Sequence, residues 1–312
     1  MVVIKINSWL QDSDLFKNAE ESKYRPNAIL GIVIFFCLWG GSLVLGRFMV
    51  IPLIEVLPNG TTFWGSFALS LRKVLVCGIQ IIAFFAWVMF VEKRKIITMG
   101  FICKHKARAY FGGVFLGFCS ITIIIFGLVI FDAIEVNFNN LFPINLLLSS
   151  LCIALFGWVI QSASEEIAIR GWLIPTLGIQ YNPLAAVLLT GGVFGVMHLL
   201  GSGATVLSFI NLTLSGFFFA LYAINAGNIW GVCGLHLGWN LAQGSIYGLS
   251  ISGEQSTNNS LFITSITGTN LLTGGDFGPE GGLITTLFLV CAILLISFIL
   301  YKKHKTYIPK KE

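Results

Sequence analysis

The sequence predicts an all-α, polytopic membrane protein with about eight transmembrane helices, and three observations carry that prediction. The 312 residues are 56% hydrophobic and 11% charged, against roughly 25% charged in a soluble domain, and mean hydropathy is +0.86. Eight apolar stretches can be marked, near residues 28–52, 74–91, 109–131, 144–164, 184–200, 205–225, 229–248 and 283–301. Most reach the ~20 residues that cross a bilayer as helix. The cations are one-sided: with the N-terminus inside, sixteen of the nineteen Lys and Arg fall on cytoplasmic segments, leaving Arg47, Arg72 and Lys73 across the membrane. That bias and the even span count place both termini in the cytoplasm.

The chain reads as one domain in five stretches: a cytoplasmic segment 1–27, scaffold helices 28–143, a polar-residue-bearing core 144–248, an outside loop 249–282, and a last helix with a basic tail, 283–312. The first apolar run is too long for a signal-peptide core, so the first span is retained. In the scaffold, Gly40, Gly41, Gly112, Gly113 and Gly117 are expected to let helices approach closely. The basic loop Glu92 to Arg108 and the tail account for the net charge of +5 through membrane orientation and lipid head groups, with no nucleic-acid partner. The seven scattered cysteines form no disulfide or CxxC metal pattern and read as packing residues.

The core opens on the fourth stretch, which carries Ser164-Glu165-Glu166-Ile167-Ala168-Ile169-Arg170. Carboxylates near hydrocarbon are expensive, so two adjacent ones mark a functional site. Neighbours on a helix point about 100° apart, while residues four apart stand one above the other. Glu166 therefore pairs with Arg170, whereas Glu165 shares its face only with Gln161 and Ser162 and needs a partner from another helix. The helix is expected to run to about Leu173, with Trp172 anchoring its far end in the interface and Tyr181-Asn182-Pro183 making the next turn. In the fifth stretch Gly191 and Gly195 make a small-residue groove, and His198 follows Phe194 by one turn. The sixth offers Ser208, Asn211 and Ser215 as a polar stripe suited to interhelical hydrogen bonds. The seventh places His236, Asn240, Gln243 and Tyr247 on one continuous face that must look into the protein or a wet cavity. The remaining histidines, His105 and His304, sit in basic solvated segments. Residues 249–282 show no active-site signal.

Together, Glu165-Glu166-x-x-x-Arg170, Phe194-x-x-x-His198 and His236-x-x-x-Asn240 resemble the signature of the CAAX protease and bacteriocin-processing enzyme family of intramembrane proteases. The likeness covers roughly Gln161 to Gly248 and includes Gly171-Trp172-Leu173 and Gly238-Trp239-Asn240-Leu241-Ala242-Gln243-Gly244. It implies that 144–248 is an intramembrane protease core. Glu165 and His198 would hold the attacking water, His236 and Asn240 would stabilise the oxyanion, and Glu166 and Arg170 would brace the helix end. It also implies a peptide or lipidated protein as substrate, within the lipid of a membrane that we expect to be the bacterial cytoplasmic membrane. Two cofactor readings stand open: a metal-free glutamate mechanism, or one zinc ion on Glu165, His198 and His236 in a catalytic site with an open position. No His-Glu-x-x-His motif is present. The competing functions are a proton-coupled transporter, which would favour internal repeats, and a silent scaffold or immunity protein, for which the intact polar set has no chemical use. The sequence sets neither the cleavage site nor the oligomeric state.

One tension remains. If the fourth span ends near Glu165, that residue lies at the inner face, while His198 lies about 15 residues into the fifth, roughly 22 Å away by helical rise. The two meet only if something bends or extends, and the expected cavity opens toward the cytoplasm.

Overall fold

The computed structural model describes residues 10–55, 63–255 and 259–307, so Lys5, Lys310 and Lys311 of the cationic termini and the side chain of His304 lie outside the described residues. Helices form at each apolar stretch: α1 (Ala28–Met49), α2 (Phe63–Ala86), α3 (Lys106–Ile130), α4 (Ile144–Glu166), α5 (Pro183–Met197), α6 (Val206–Ala226), α7 (Trp230–Asn240) and α8 (Leu283–Tyr307). Six of these are long and apolar enough to cross a membrane, and α5 is a shorter apolar helix. With eleven α-helical residues, α7 is short as well. Its residues Gly231 to Asn240 are all buried, so α7 is an interior rod wrapped by the others. The prediction of eight spans holds for the number of helices and overstates how many are long enough to cross.

Local chemistry sets the helix starts. Asn27 accepts a hydrogen bond from the backbone N–H of Leu30 at 2.9 Å, and Asn182 does the same for Ala185 at 2.8 Å, each satisfying a donor that the first turn leaves orphaned. Thr205 and Ser208 form a reciprocal capping box at α6, so Ser208 of the predicted polar stripe serves the helix end. The stripe's Asn211 does bond across elements, donating to the carbonyls of Glu280 and Gly282 and accepting from Thr286 of α8.

The centre is held by glycines on two helices. A Cβ on Gly113 or Gly117 of α3 would strike the carbonyls of Gly231 or Leu235 on α7, and a Cβ on Gly234 or Gly238 of α7 would strike those of Tyr110 or Val114 on α3. The two backbones touch, as small-residue packing allows. Third-helix Gly113 and Gly117 thus belong to the seat of the site, whereas Gly40, Gly41 and Gly112 have no neighbour within 4 Å and are not packing positions. A Gly117→Ala substitution is expected to push α7 off α3 and cost about 1–3 kcal/mol, the usual range for overpacking. Thermal unfolding in detergent should show it, with Gly112→Ala as a neutral control.

Two departures from the sequence reading position the site. First, α4 does not stop near Leu173: it passes through a π-helical segment, Ile167–Leu173, into Ile174–Gln180, a continuous helical rod Ile144–Gln180 of 37 residues. Fifteen residues separate Glu165 from Gln180, and fifteen separate Pro183 from His198. Both side chains therefore stand roughly 22 Å from the same α4–α5 turn, and the tension resolves by extension. Trp172 is fully buried and donates to Glu92, whose other oxygen pairs with Arg94 at 2.6 Å. It is not an interface anchor, because the π segment turns it inward. Second, the described residues of the connections 131–143 and 249–282 are structured. They carry β1 (Ile134–Phe138) and β2 (Phe262–Ile266), which pair antiparallel from Ile134 with Ile266 to Phe138 with Phe262. All seven cysteines are free, and Cys233 alone is buried.

Candidate active site

Glu165, His198, His236 and Asn240 line one cavity of about 180 Å³, with Trp158, Gln161, Phe194, Ser215, Phe219 and Trp239. The three motifs arrive on α4, α5 and α7. On α4, Gln161 Nε2 donates to Glu165 Oε1 at 2.5 Å, a partner on the same helix where one from another helix was expected. Gln161 Oε1 accepts from Asn240 Nδ2 of α7 at 3.0 Å. Gln161 is thus the bridge that ties the carboxylate to the third motif. Glu165 Oε2 is buried with no hydrogen-bond partner among the described residues and stands 4.0 Å from His236 Nε2.

The neighbouring carboxylate has a different task. Glu166 Oε1 accepts from Arg170 Nη1 at 2.9 Å and lies 2.7 Å from His236 Nδ1. A carboxylate paired with Arg accepts only, so Nδ1 carries the proton and Nε2 is the nitrogen nearer Glu165. Arg170 is itself fully buried. It reaches the Gly216 carbonyl at 3.4 Å and lies over the rings of Phe194 at 4.8 Å and Phe219 at 5.2 Å. The expected helix-end brace is therefore an interior one, because the helix has not ended there.

His198 terminates α5, and its Nδ1 lies 2.8 Å from the Phe194 carbonyl oxygen. A carbonyl only accepts, so the His198 proton sits on Nδ1 and Nε2 keeps its lone pair. The groove predicted from Gly191 and Gly195 is filled by α6, through Phe217, Thr213 and Phe209, which holds α5 close enough for His198 to join the cavity.

The polar face of α7 divides after Asn240. A π-helical segment, Leu241–Ile246, follows and changes the angular spacing. Gln243 then donates to the Ser250 carbonyl at 2.6 Å, and the Tyr247 hydroxyl bonds that of Thr122 at 3.1 Å. Neither faces the cavity.

The sequence reading missed the loop. Ile251, Ser252, Glu254 and Glu280, all from 249–282, complete the cavity wall. Glu280 Oε1 accepts from Trp239 Nε1 at 3.2 Å, and Oε2 accepts from the backbone and hydroxyl of Ser252 at 2.6 and 2.8 Å. The cavity therefore abuts the end of the bundle that carries the 249–282 loop, not the end bearing the basic loop. A signal existed in Gly274-Gly275-Asp276-Phe277-Gly278-Pro279-Glu280-Gly281-Gly282, where Gly274, Gly275 and Gly278 take positive φ. That density marks backbone packed on backbone.

For zinc, Glu165, His198 and His236 share the cavity, yet among the described residues no three His, Cys, Asp or Glu side chains group to hold a metal ion. Nδ1 of each histidine is held on a protein acceptor, which leaves each Nε2 free for a water or an ion. A zinc ion here would be held by Glu165, His198 and His236 and would serve to activate the water; no step below passes through one.

Comparison with known proteins agrees with the geometry over the same stretch. Residues 147–242 match the family model described as type II CAAX prenyl endopeptidase Rce1-like. A curated Bacillus subtilis protein, YyaK, itself described as uncharacterized, is 35% identical over 96 residues, covering 29% of this chain and 32% of YyaK. The match thus spans about a third of that relative's length. No solved structure matches. Residues 147–242, the stretch holding all three motifs, are thus similar to the Rce1-like type II CAAX prenyl endopeptidase family.

Proposed function

We propose that the chain is an intramembrane endopeptidase that hydrolyses a peptide bond in a membrane-associated or lipidated peptide, a prenylated tail being the substrate class the family name offers. The observation that carries this is the convergence of Glu165, His198, His236 and Asn240 on one cavity, with Glu165 Oε2 lacking a protein partner. In this reading a water donates one hydrogen bond to Glu165 Oε2 and another to the bare Nε2 of His198. Glu165 takes the proton as the water oxygen bonds to the carbonyl carbon. The oxyanion is met by the second N–H of Asn240 Nδ2 and by His236 as imidazolium, its Nδ1–H held on Glu166 and its Nε2–H free to donate. Collapse breaks the C–N bond, and the proton held by Glu165 passes to the leaving amine.

The test uses an S-farnesylated CAAX peptide in proteoliposomes, with products read by mass spectrometry. His198→Ala should slow hydrolysis by about 100-fold or more, the usual worth of a positioned proton acceptor, while the protein still purifies folded. Cleavage by that variant at the wild-type rate would remove His198 from the mechanism.

A further inference from the structure

Two of the three cations off the cytoplasmic segments, Arg72 and Lys73, are adjacent and lie within the membrane-length helix Phe63–Val91. An ammonium there is costly and marks function by default. Lys73 Nζ lies 2.6 Å from both oxygens of Glu254, and Arg72 Nη2 lies 3.4 Å from one of them. The ammonium also sits 4.0 Å over the centre of the Trp158 ring, whose Nε1 is held by the Ser245 hydroxyl at 3.1 Å. Two cations thus flank one carboxylate, and an indole face backs the ammonium. That carboxylate comes from a loop, and its side chain is 43% exposed against 14% for Lys73. The cation is built into a helix, and the anion is the more exposed partner.

The place is also well situated. Lys73 lines a second cavity, of about 50 Å³, which shares Trp158, Ile251 and Glu254 with the catalytic one. Trp158 and Glu165 are seven residues apart on α4, roughly 10 Å of rise. An extended peptide covers that distance in about three residues.

From this we infer that Lys73, supported by Arg72 and Trp158, binds the terminal carboxylate of the peptide substrate, and that Glu254 is the internal carboxylate which the substrate displaces. The inference rests on the endopeptidase reading and adds to it a requirement for a free chain end close to the scissile bond. Exchanging one carboxylate for another leaves the charge around Lys73 unchanged, so the swap does not strand a cation beside the membrane. The released Glu254 can turn to water.

The experiment separates binding from hydrolysis. A fluorescent S-farnesylated CAAX peptide, prepared as the free acid and as the C-terminal amide, is titrated by anisotropy into nanodiscs holding the full-length Glu165→Gln protein. The acid should bind about tenfold more tightly than the amide, the effect of one well-placed ionic contact. Lys73→Gln should erase the difference and Lys73→Arg should retain it. Glu254→Gln should tighten the acid and leave the amide unchanged. Equal binding of acid and amide, no binding of either, or a difference that survives Lys73→Gln would each overturn the subsite. Cleavage by the wild type is scored separately: hydrolysis without acid preference in binding sinks the subsite alone, whereas acid-selective binding without hydrolysis sinks the endopeptidase reading and leaves the subsite standing.

Discussion

Glu165→Ala should cost about 10²–10⁴-fold in hydrolysis, the range for losing a general base, and should leave the protein as stable as before. The second half of that expectation is the informative one. Glu165 receives a single side-chain hydrogen bond, from Gln161, and its other oxygen has no partner among the described residues. Removing it orphans only one amide donor and relieves the expense of a carboxylate held in a nearly dry place. A residue kept against the interest of stability is one kept for chemistry. The double variant with His198→Ala should be scarcely slower than the single one, since groups that handle one water act as a unit and their losses do not add. Initial rates on the farnesylated peptide, measured beside melting curves in detergent, check all three statements. An inactive protein that also melts early would assign Glu165 to the fold instead.

The adjacent residue shows how far sequence reasoning reaches. Glu165 and Glu166 were separable beforehand because helical angles alone pair Glu166 with Arg170 and leave Glu165 unpaired on a face with Gln161 and Ser162; the structure has the Glu166–Arg170 contact and gives Glu165 a partner on its own helix, Gln161, that the sequence reading did not assign. The helices were legible for a similar reason: lipid demands long apolar runs, and composition reports them directly. What was not legible follows from interactions that leave no periodic trace. Pro175 reads as a stop, yet the helical rod runs through it, its missing N–H falling just after the π segment, where the regular i→i−4 ladder is already interrupted. Expecting the helix to end there left Glu165 apart from His198, with which it shares a cavity, and put Trp172 in the interface, whereas it is buried. The loop was opaque because a Gly- and Ser-rich stretch has the same composition whether it is loose or, as around Glu280, tied to Trp239 and Ser252. The polar face of α7 was read to include two side chains, Gln243 and Tyr247, that do not share it, because a π turn is invisible to a pattern assuming 3.6 residues per turn.

Arg170→Met should be the most destabilising of these substitutions, by about 3–5 kcal/mol, the cost of leaving one member of a buried ion pair without its partner. Arg170 and Glu166 are both wholly buried, and the guanidinium is the only cation paired with Glu166 other than the His236 ring among the described residues. Deprived of it, the carboxylate must either stay charged in an apolar setting or draw a proton, and in both cases its hold on His236 Nδ1 changes. Loss of stability and loss of activity should therefore travel together, opposite to the behaviour of Glu165→Ala. A melting point lowered by roughly 10 °C is the scale to look for. Arg170→Lys tests the geometry separately: it keeps a positive charge but cannot reach Glu166 and the Gly216 carbonyl together while lying flat against Phe194 and Phe219. An ammonium has no planar fork, so it should recover part of the stability and little of the rate. Arg170→Met with wild-type melting and wild-type turnover would mean that Glu166 orients His236 unaided, and the division of labour between the two glutamates would have to be redrawn with Arg170 left out.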